Sequence, residues 1–262
     1  MNNLKAYFVT CALAGALYLS TAQTSFGQGL INGQFTNFTS LATTDSGTGG
    51  GLSTSGYAGD TLTGWTSTGY NFVFRGGNVG DVTVVGSGGA LSLYGPANGN
   101  ANGLVAPPGG GNIIANDGAY QIGPISQTVT GLTSGQEYAV SFEYAGAQQT
   151  TYTGTTTESW TVSLGGTAGA QTTSTLTNTN KGFTGWFSQT FDFTATGTTD
   201  VLSFLANGTP SGEPPFSLLA DVSMTAVPEP KASACWMILF GMLILGGNRA
   251  WRWYQKRSST NP

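Results

Sequence analysis

Carboxylates are the side chains best suited to covalent chemistry in this 262-residue sequence, because it contains no histidine. That absence removes Ser-His-Asp and Cys-His nucleophiles, histidine zinc sites and a histidine general base. Glu137 and Glu143 form the clearest acidic pair, six apart in Glu-Tyr-Ala-Val-Ser-Phe-Glu-Tyr. The segment alternates as a strand does, so residues of one parity share a face. Tyr138, Val140, Phe142 and Tyr144 take the core face and both glutamates the other. At ~3.3 Å per residue the glutamates stand about 20 Å apart. Glycosidase carboxyls stand roughly 5–10 Å apart, so this pair reads as two solvated rim charges. A hydrolase built on carboxylates alone stays open as an alternative, with an acid such as Glu158 in the catalytic role. No glycine-rich phosphate loop follows a strand, and no Asp-x-Asp-x-Asp-Gly calcium loop is present.

Binding is the other chemistry these residue types offer. Sugar C–H faces pack on aromatic rings while the hydroxyls need polar partners. Trp65, Tyr70, Tyr94, Tyr120, Tyr152 and Trp186 fall at strand ends or in loops. Trp160 is followed by Val162 and Leu164 at the same parity and belongs to the core. Tyr152 lies in a Thr- and Gln-rich stretch, 148–157, beside the amides of Gln148 and Gln149. Trp65, Tyr94, Gln148, Gln149, Tyr152 and Trp186 are therefore the candidate ligand-binding set. Core packing or loop anchoring is the competing role for each aromatic.

The elements that must position these residues are strands. Short alternating runs recur between Gly, Asn, Ser and Thr, which predicts an all-β body. The runs are 30–38, 70–75, 81–85, 90–94, 125–130, 137–144, 159–164, 188–195, 201–206 and 218–224. Phe187, Phe191 and Phe193 share one face, with Ser188, Thr190, Asp192 and Thr194 on the other. Segments 47–55, 95–111 and 145–157 read as long polar loops, where binding sites commonly lie.

Charge narrows the partners. Between residues 28 and 226 two cations, Arg75 and Lys181, face eleven acids, a balance of −9. Such a body lacks the basic footprint that phosphates require, which excludes nucleic acid. Only 8% of the chain is charged, against about 25% for a typical soluble domain, so solubility rests on Ser, Thr, Asn, Gln and Gly. The two cysteines, Cys11 and Cys235, lie in the terminal segments, and the body can form no disulfide.

The ends carry addresses. Lys5, the apolar stretch 6–19 and the small residues Ser20-Thr21-Ala22 form a secretory signal peptide over 1–27, cleaved after Ala22 or Gly27. It implies the secretory translocon and signal peptidase as partners. At the other end Val227-Pro228-Glu229-Pro230 precedes an apolar run, 232–247, and a basic end carrying Arg249, Arg252, Lys256 and Arg257. The prolines fix an extended segment. The run would span roughly 24 Å as a helix, with Trp251, Trp253 and Tyr254 extending it as an interfacial belt and the cations on the cytoplasmic side. This order resembles the PEP-CTERM sorting signal of Gram-negative bacteria. The resemblance implies that residues 227–262 are recognised by an exosortase, with a transient inner-membrane stage, cleavage near Pro-Glu-Pro and delivery to the cell surface or extracellular matrix.

A second resemblance spans the body, 28–226. Ile-Asn-Gly-Gln-Phe near its start, Gly64-Trp65-Thr66, the stretch 125–138, Gly185-Trp186, Phe191-Asp192-Phe193 and Leu218-Leu219-Ala220-Asp221-Val222 resemble galactose-binding-domain-like jelly rolls, carbohydrate-binding modules among them. It implies a single jelly-roll β-sandwich that binds extracellular polysaccharide without catalysis. The stretch 132–138 also resembles the tyrosine corner of fibronectin type III domains, but one such domain needs only about 100 residues. Related modules need no cofactor, although some hold a structural calcium between first and last strands. Asp221 matches the last-strand acid, and Thr36 stands where an acidic ligand would help. A matrix protein that self-associates through loops and strand edges is the alternative function.

Overall fold

Period-two alternation builds the centre of the molecule. The computed structural model describes residues 29–39, 50–52, 61–74, 83–86, 89–96 and 99–228. In chain order the strands are β1 (Phe38–Thr39), β2 (Gly50–Leu52), β3 (Thr61–Leu62), β4 (Thr66–Ser67), β5 (Asn71–Phe74), β6 (Thr83–Gly86), β7 (Gly89–Ser92) and β8 (Ile113–Asp117). They continue as β9 (Ile125–Thr130), β10 (Glu137–Gln148), β11 (Thr156–Leu164), β12 (Gln171–Thr172), β13 (Leu176–Asn178), β14 (Phe187–Thr194), β15 (Thr199–Thr209) and β16 (Pro215–Ala226). The described residues contain no α-helix, and none of their segments is a helix long and apolar enough to cross a membrane. Both terminal helices expected from the sequence, and the basic tail, lie outside the described residues. Contacts divide the chain into Met1–Ala226 and Val227–Pro262.

Two six-stranded antiparallel sheets form the body. The first runs β14-β10-β16-β8-β5-β2. The second is built on β12-β11-β15-β9-β4, with β13 also paired to β11. Between them lies the main core, which includes Phe35, Val140, Phe142, Trp160, Phe204 and Leu219. The Trp160 indole crosses that core to donate to the Leu218 carbonyl at 3.0 Å. Tyr138, Val140, Phe142 and Tyr144 point inward, while Glu137 and Glu143 share the outer face opposite Thr194 and Ser188. Within the stretch that resembles a tyrosine corner, the Thr133 amide donates to the Tyr138 hydroxyl at 3.0 Å.

Several sequence expectations need correction, among them the expected loop 47–55, which contains β2. Residues 30–37 form no strand: Asn32 and Phe35 adopt positive φ (52° and 56°), and the chain turns to insert Phe35 into the core. Strand β8 lies where none was expected. It is central between β16 and β5, and all five residues are buried, so Ile-Ile-Ala-Asn-Asp shows no alternation. The expected loop 145–157 shrinks to 149–155, because the small residues Ala145, Gly146 and Ala147 let β10 continue between covered faces.

The outer face of the first sheet is not solvent-exposed throughout. Phe72, Phe74, Ile113, Ala115, Phe216 and Leu218 form a second apolar cluster there, capped by Leu93 and Leu104. Asn102 holds the capping segment by donating to the Tyr94 and Lys181 carbonyls. The cover stops short of Tyr70, Asp117 and Gln149, and this leaves the concavity described next.

Candidate functional site

Strands β5, β8 and β10 of the first sheet, with β16 between the last two, deliver the site by parity. Tyr70 precedes Phe72 on β5, Asp117 follows Ala115 on β8, and Gln149 follows Ala147 beyond β10, so all three continue the outer apolar face. The Asp117 amide donates to the Tyr70 carbonyl at 3.2 Å, fixing the two strand ends side by side. Asp117 then shapes the turn that follows. Its Oδ1 accepts the amides of Ala119 (2.8 Å) and Tyr120 (3.1 Å), an Asx arrangement that projects the Tyr120 ring. The Tyr70 and Tyr120 rings meet edge to face, 5.3 Å between centroids and 87° between planes.

The opposite wall comes from two loops. Tyr152 follows Thr151, which adopts a φ of 76°. The Thr153 amide donates to Glu213 Oε2 at 3.0 Å and joins this loop to the segment carrying Ser211, Gly212 and Pro214. Together Tyr70, Asp117, Ala119, Tyr120, Gln149, Tyr152, Ser211, Gly212 and Pro214 line an open cleft of about 380 Å³. Tyr120 is 51% and Tyr152 37% exposed, so two rings present surface to solvent. Burial pushes the Asp117 carboxyl up from 3.8 to about 6, against the lowering effect of its two amide donors. The cleft can stack an apolar ring face against tyrosine while Gln149, Ser211 and Asp117 meet polar groups. Among the described residues Asp117 is the one lining carboxylate, whereas glycoside hydrolysis ordinarily needs two.

Of the six residues singled out from sequence, the structure brings Gln149 and Tyr152 together in this cleft. The other four lie elsewhere. Trp65 is a core residue, 6% exposed, its indole donating to the Asn32 carbonyl at 3.2 Å and its ring against Phe35. Gln148 is fully buried, its Oε1 accepting the Lys181 amide at 2.7 Å. Tyr94 is half-buried; its hydroxyl accepts the Thr151 amide, and the Lys181 amine lies 5.4 Å over its ring. Trp186 is half-buried against Phe183 and donates to the Val105 carbonyl at 3.0 Å. Sequence reasoning placed Tyr70 and Tyr120 among the loop aromatics but not in the binding set, and it missed Asp117. The Asp117-Gly118 dipeptide before Tyr120 was the available signal, since it marks a turn.

Glu158 does not reach the cleft. It is 1% exposed and lies between the sheets; Oε1 accepts the Thr156 hydroxyl and Oε2 has no hydrogen-bond partner. Burial raises it from 4.5 to about 8. A walled-in, protonated acid is no hydrolytic group for a polymer.

Asp221 sits at a β-bulge in β16 with φ of 51°. Its Oδ2 accepts the Gly109 amide at 2.9 Å, while the buried Oδ1 has no partner. Burial raises its pKa, the Gly109 amide lowers it, and the Glu143 charge adds to the rise. A spare buried oxygen near a second carboxylate suits a hard cation. Among the described residues no three acidic, imidazole or thiol side chains converge, and Thr36 is exposed. Of the sorting motif, Val227 and Pro228 are described, half-buried and exposed, while Glu229, Pro230, Arg249, Arg252, Lys256 and Arg257 lie outside the described residues.

No protein-family model matches the sequence, and no curated relative does. Among solved structures, TmCBM61 in complex with β-1,4-galactotriose shares 14% identity at a TM-score of 0.39, over 76% of this chain and 99% of that one. A CBM4 structure shares 15% at 0.31, over 75% and 98%. The CBM22-1 xylan-binding domain of Paenibacillus barcinonensis Xyn10C shares 11% at 0.34, over 69% and 94%. At these scores the likeness is too remote to transfer a ligand or a residue role.

Proposed function

We propose that this protein is an exported, non-catalytic glycan-binding module, a single jelly roll whose sugar site is the cleft walled by Tyr70, Tyr120 and Tyr152. The observation that carries this reading is the convergence of three tyrosines around an open cleft floored by Asp117 and flanked by Gln149. Rings for C–H faces and a few placed polar groups for hydroxyls are what sugar recognition requires. The acidic, lightly charged body and the two terminal addresses support a setting in cell-surface or matrix polysaccharide, reached by secretion and exosortase sorting. A structural calcium at Asp221 belongs to the same reading.

The test is binding of the full chain, in mild detergent, to the producing bacterium's extracellular polysaccharide. Saturable binding should fall ~10-fold or more, about 1.4 kcal/mol, in Tyr152→Ala and in Tyr120→Ala. Trp65→Ala should instead lower thermal stability, since it empties a core site. Saturable binding that both tyrosine variants leave intact would remove the cleft from the reading. A folded protein that binds nothing but sediments with increasing mass at higher concentration would favour self-association. The edge strand β14, with Phe187 44% exposed at its start, offers the surface for that.

A further inference from the structure

We propose that the ligand of this cleft is a sugar unit bearing a free ammonium group, its charge seated between the tyrosine faces and the Asp117 carboxylate. The inference rests on the glycan-binding reading and names the class of glycan: an amino-sugar polymer, at least partly free of N-acyl groups.

Charge is the first argument. Among the described residues, Asp117 is the one lining side chain that carries charge at neutral pH, and no Lys or Arg lines the cleft. The body has two cations, and the one described, Lys181, places its amine over Tyr94, outside the lining. The acid is buried, 1% exposed, with no cationic partner among the described residues, and burial raises its pKa. A neutral sugar would leave the cost of that burial in place, and an acidic one would meet a body of balance −9. A cationic unit removes it.

Geometry is the second argument. Asp117 Oδ1 is saturated by two amides, whereas Oδ2 takes no hydrogen bond among the described residues. The edge-to-face arrangement of Tyr70 and Tyr120, with Tyr152 on the opposing wall, surrounds the cleft with aromatic quadrupoles. Cations are attracted to the faces of such rings, and more strongly when desolvated. Aromatic walls and one carboxylate together discriminate an ammonium from both an N-acetyl group and a hydroxyl.

The experiment compares three tetrasaccharides of equal length on the full chain near pH 6.5: β-1,4-linked glucosamine, its fully N-acetylated counterpart, and the glucose tetramer. The glucosamine tetramer should bind at least tenfold more tightly than the other two. Asp117→Asn keeps an Oδ1 acceptor for the Ala119 and Tyr120 amides and should erase that preference. As a control independent of any variant, about 1 M salt should shrink the preference in the native chain, because salt screens the attraction of the ammonium to the carboxylate and to the acidic body. Equal binding of all three sugars, or a preference that survives both Asp117→Asn and salt, overturns this inference and leaves the glycan-binding reading standing. Failure of every sugar and of the native polysaccharide to bind overturns both.

Discussion

The Glu158 carboxylate on β11 presses against the backbone of Gly146 on the facing sheet: a Cβ at Gly146 would stand 2.6 Å from Glu158 Oε2. Only a glycine leaves room for the acid, and Oε2 gains no hydrogen bond in return. The consequence is a pH-dependent stability. In the unfolded chain Glu158 ionises near its ordinary 4.5, and in the fold near 8. Below the lower value both states hold the proton and the contribution to stability is complete. As pH rises through the window, the unfolded chain releases the proton and the fold does not, so stability falls, by several kcal/mol across the whole window. Glu158→Gln should flatten the dependence of melting temperature on pH between about 6 and 8. A smaller slope from Asp117, raised to about 6, should persist below pH 6. Identical slopes in wild type and Glu158→Gln would show that the acid is not buried in this form.

Asp221 predicts a response to calcium. Its orphaned oxygen and the nearby Glu143 charge should be relieved by a bound cation. Calcium at ten times its dissociation constant should stabilise the fold by about 1.4 kcal/mol, read as a rise in melting temperature that a chelator reverses. Asp221→Asn should abolish the rise. An unchanged melting temperature in millimolar calcium, the range in which extracellular sites bind, would rule the site out.

Sorting predicts a shortened mature chain. Mass spectrometry of the surface-exposed protein should find no peptide from 232–262, and Pro228→Ala with Pro230→Ala should retain the full-length form at the inner membrane. Intact 232–262 on surface-exposed protein would defeat the exosortase assignment.

Much of the fold was legible because strand patterning is local. Phe191 and Phe193 declared the inner face of β14, and Tyr138 to Tyr144 that of β10, by alternation alone. Alternation fails where both faces are covered, which is why Ile113–Asp117 went unread although it lies mid-sheet. It also misjudged Trp65, since a tryptophan beside a turn looks exposed until a second sheet closes over it.

By itself the sequence determined the strand chemistry, the charge balance and the exclusion of imidazole catalysis. The tertiary structure alone decided the cleft. Tyr70, Asp117 and Gln149 meet because β5, β8, β16 and β10 lie side by side in an order unrelated to their order in the chain. Side-chain period follows from one residue's neighbours, but the meeting of strand ends follows from pairings across dozens of residues.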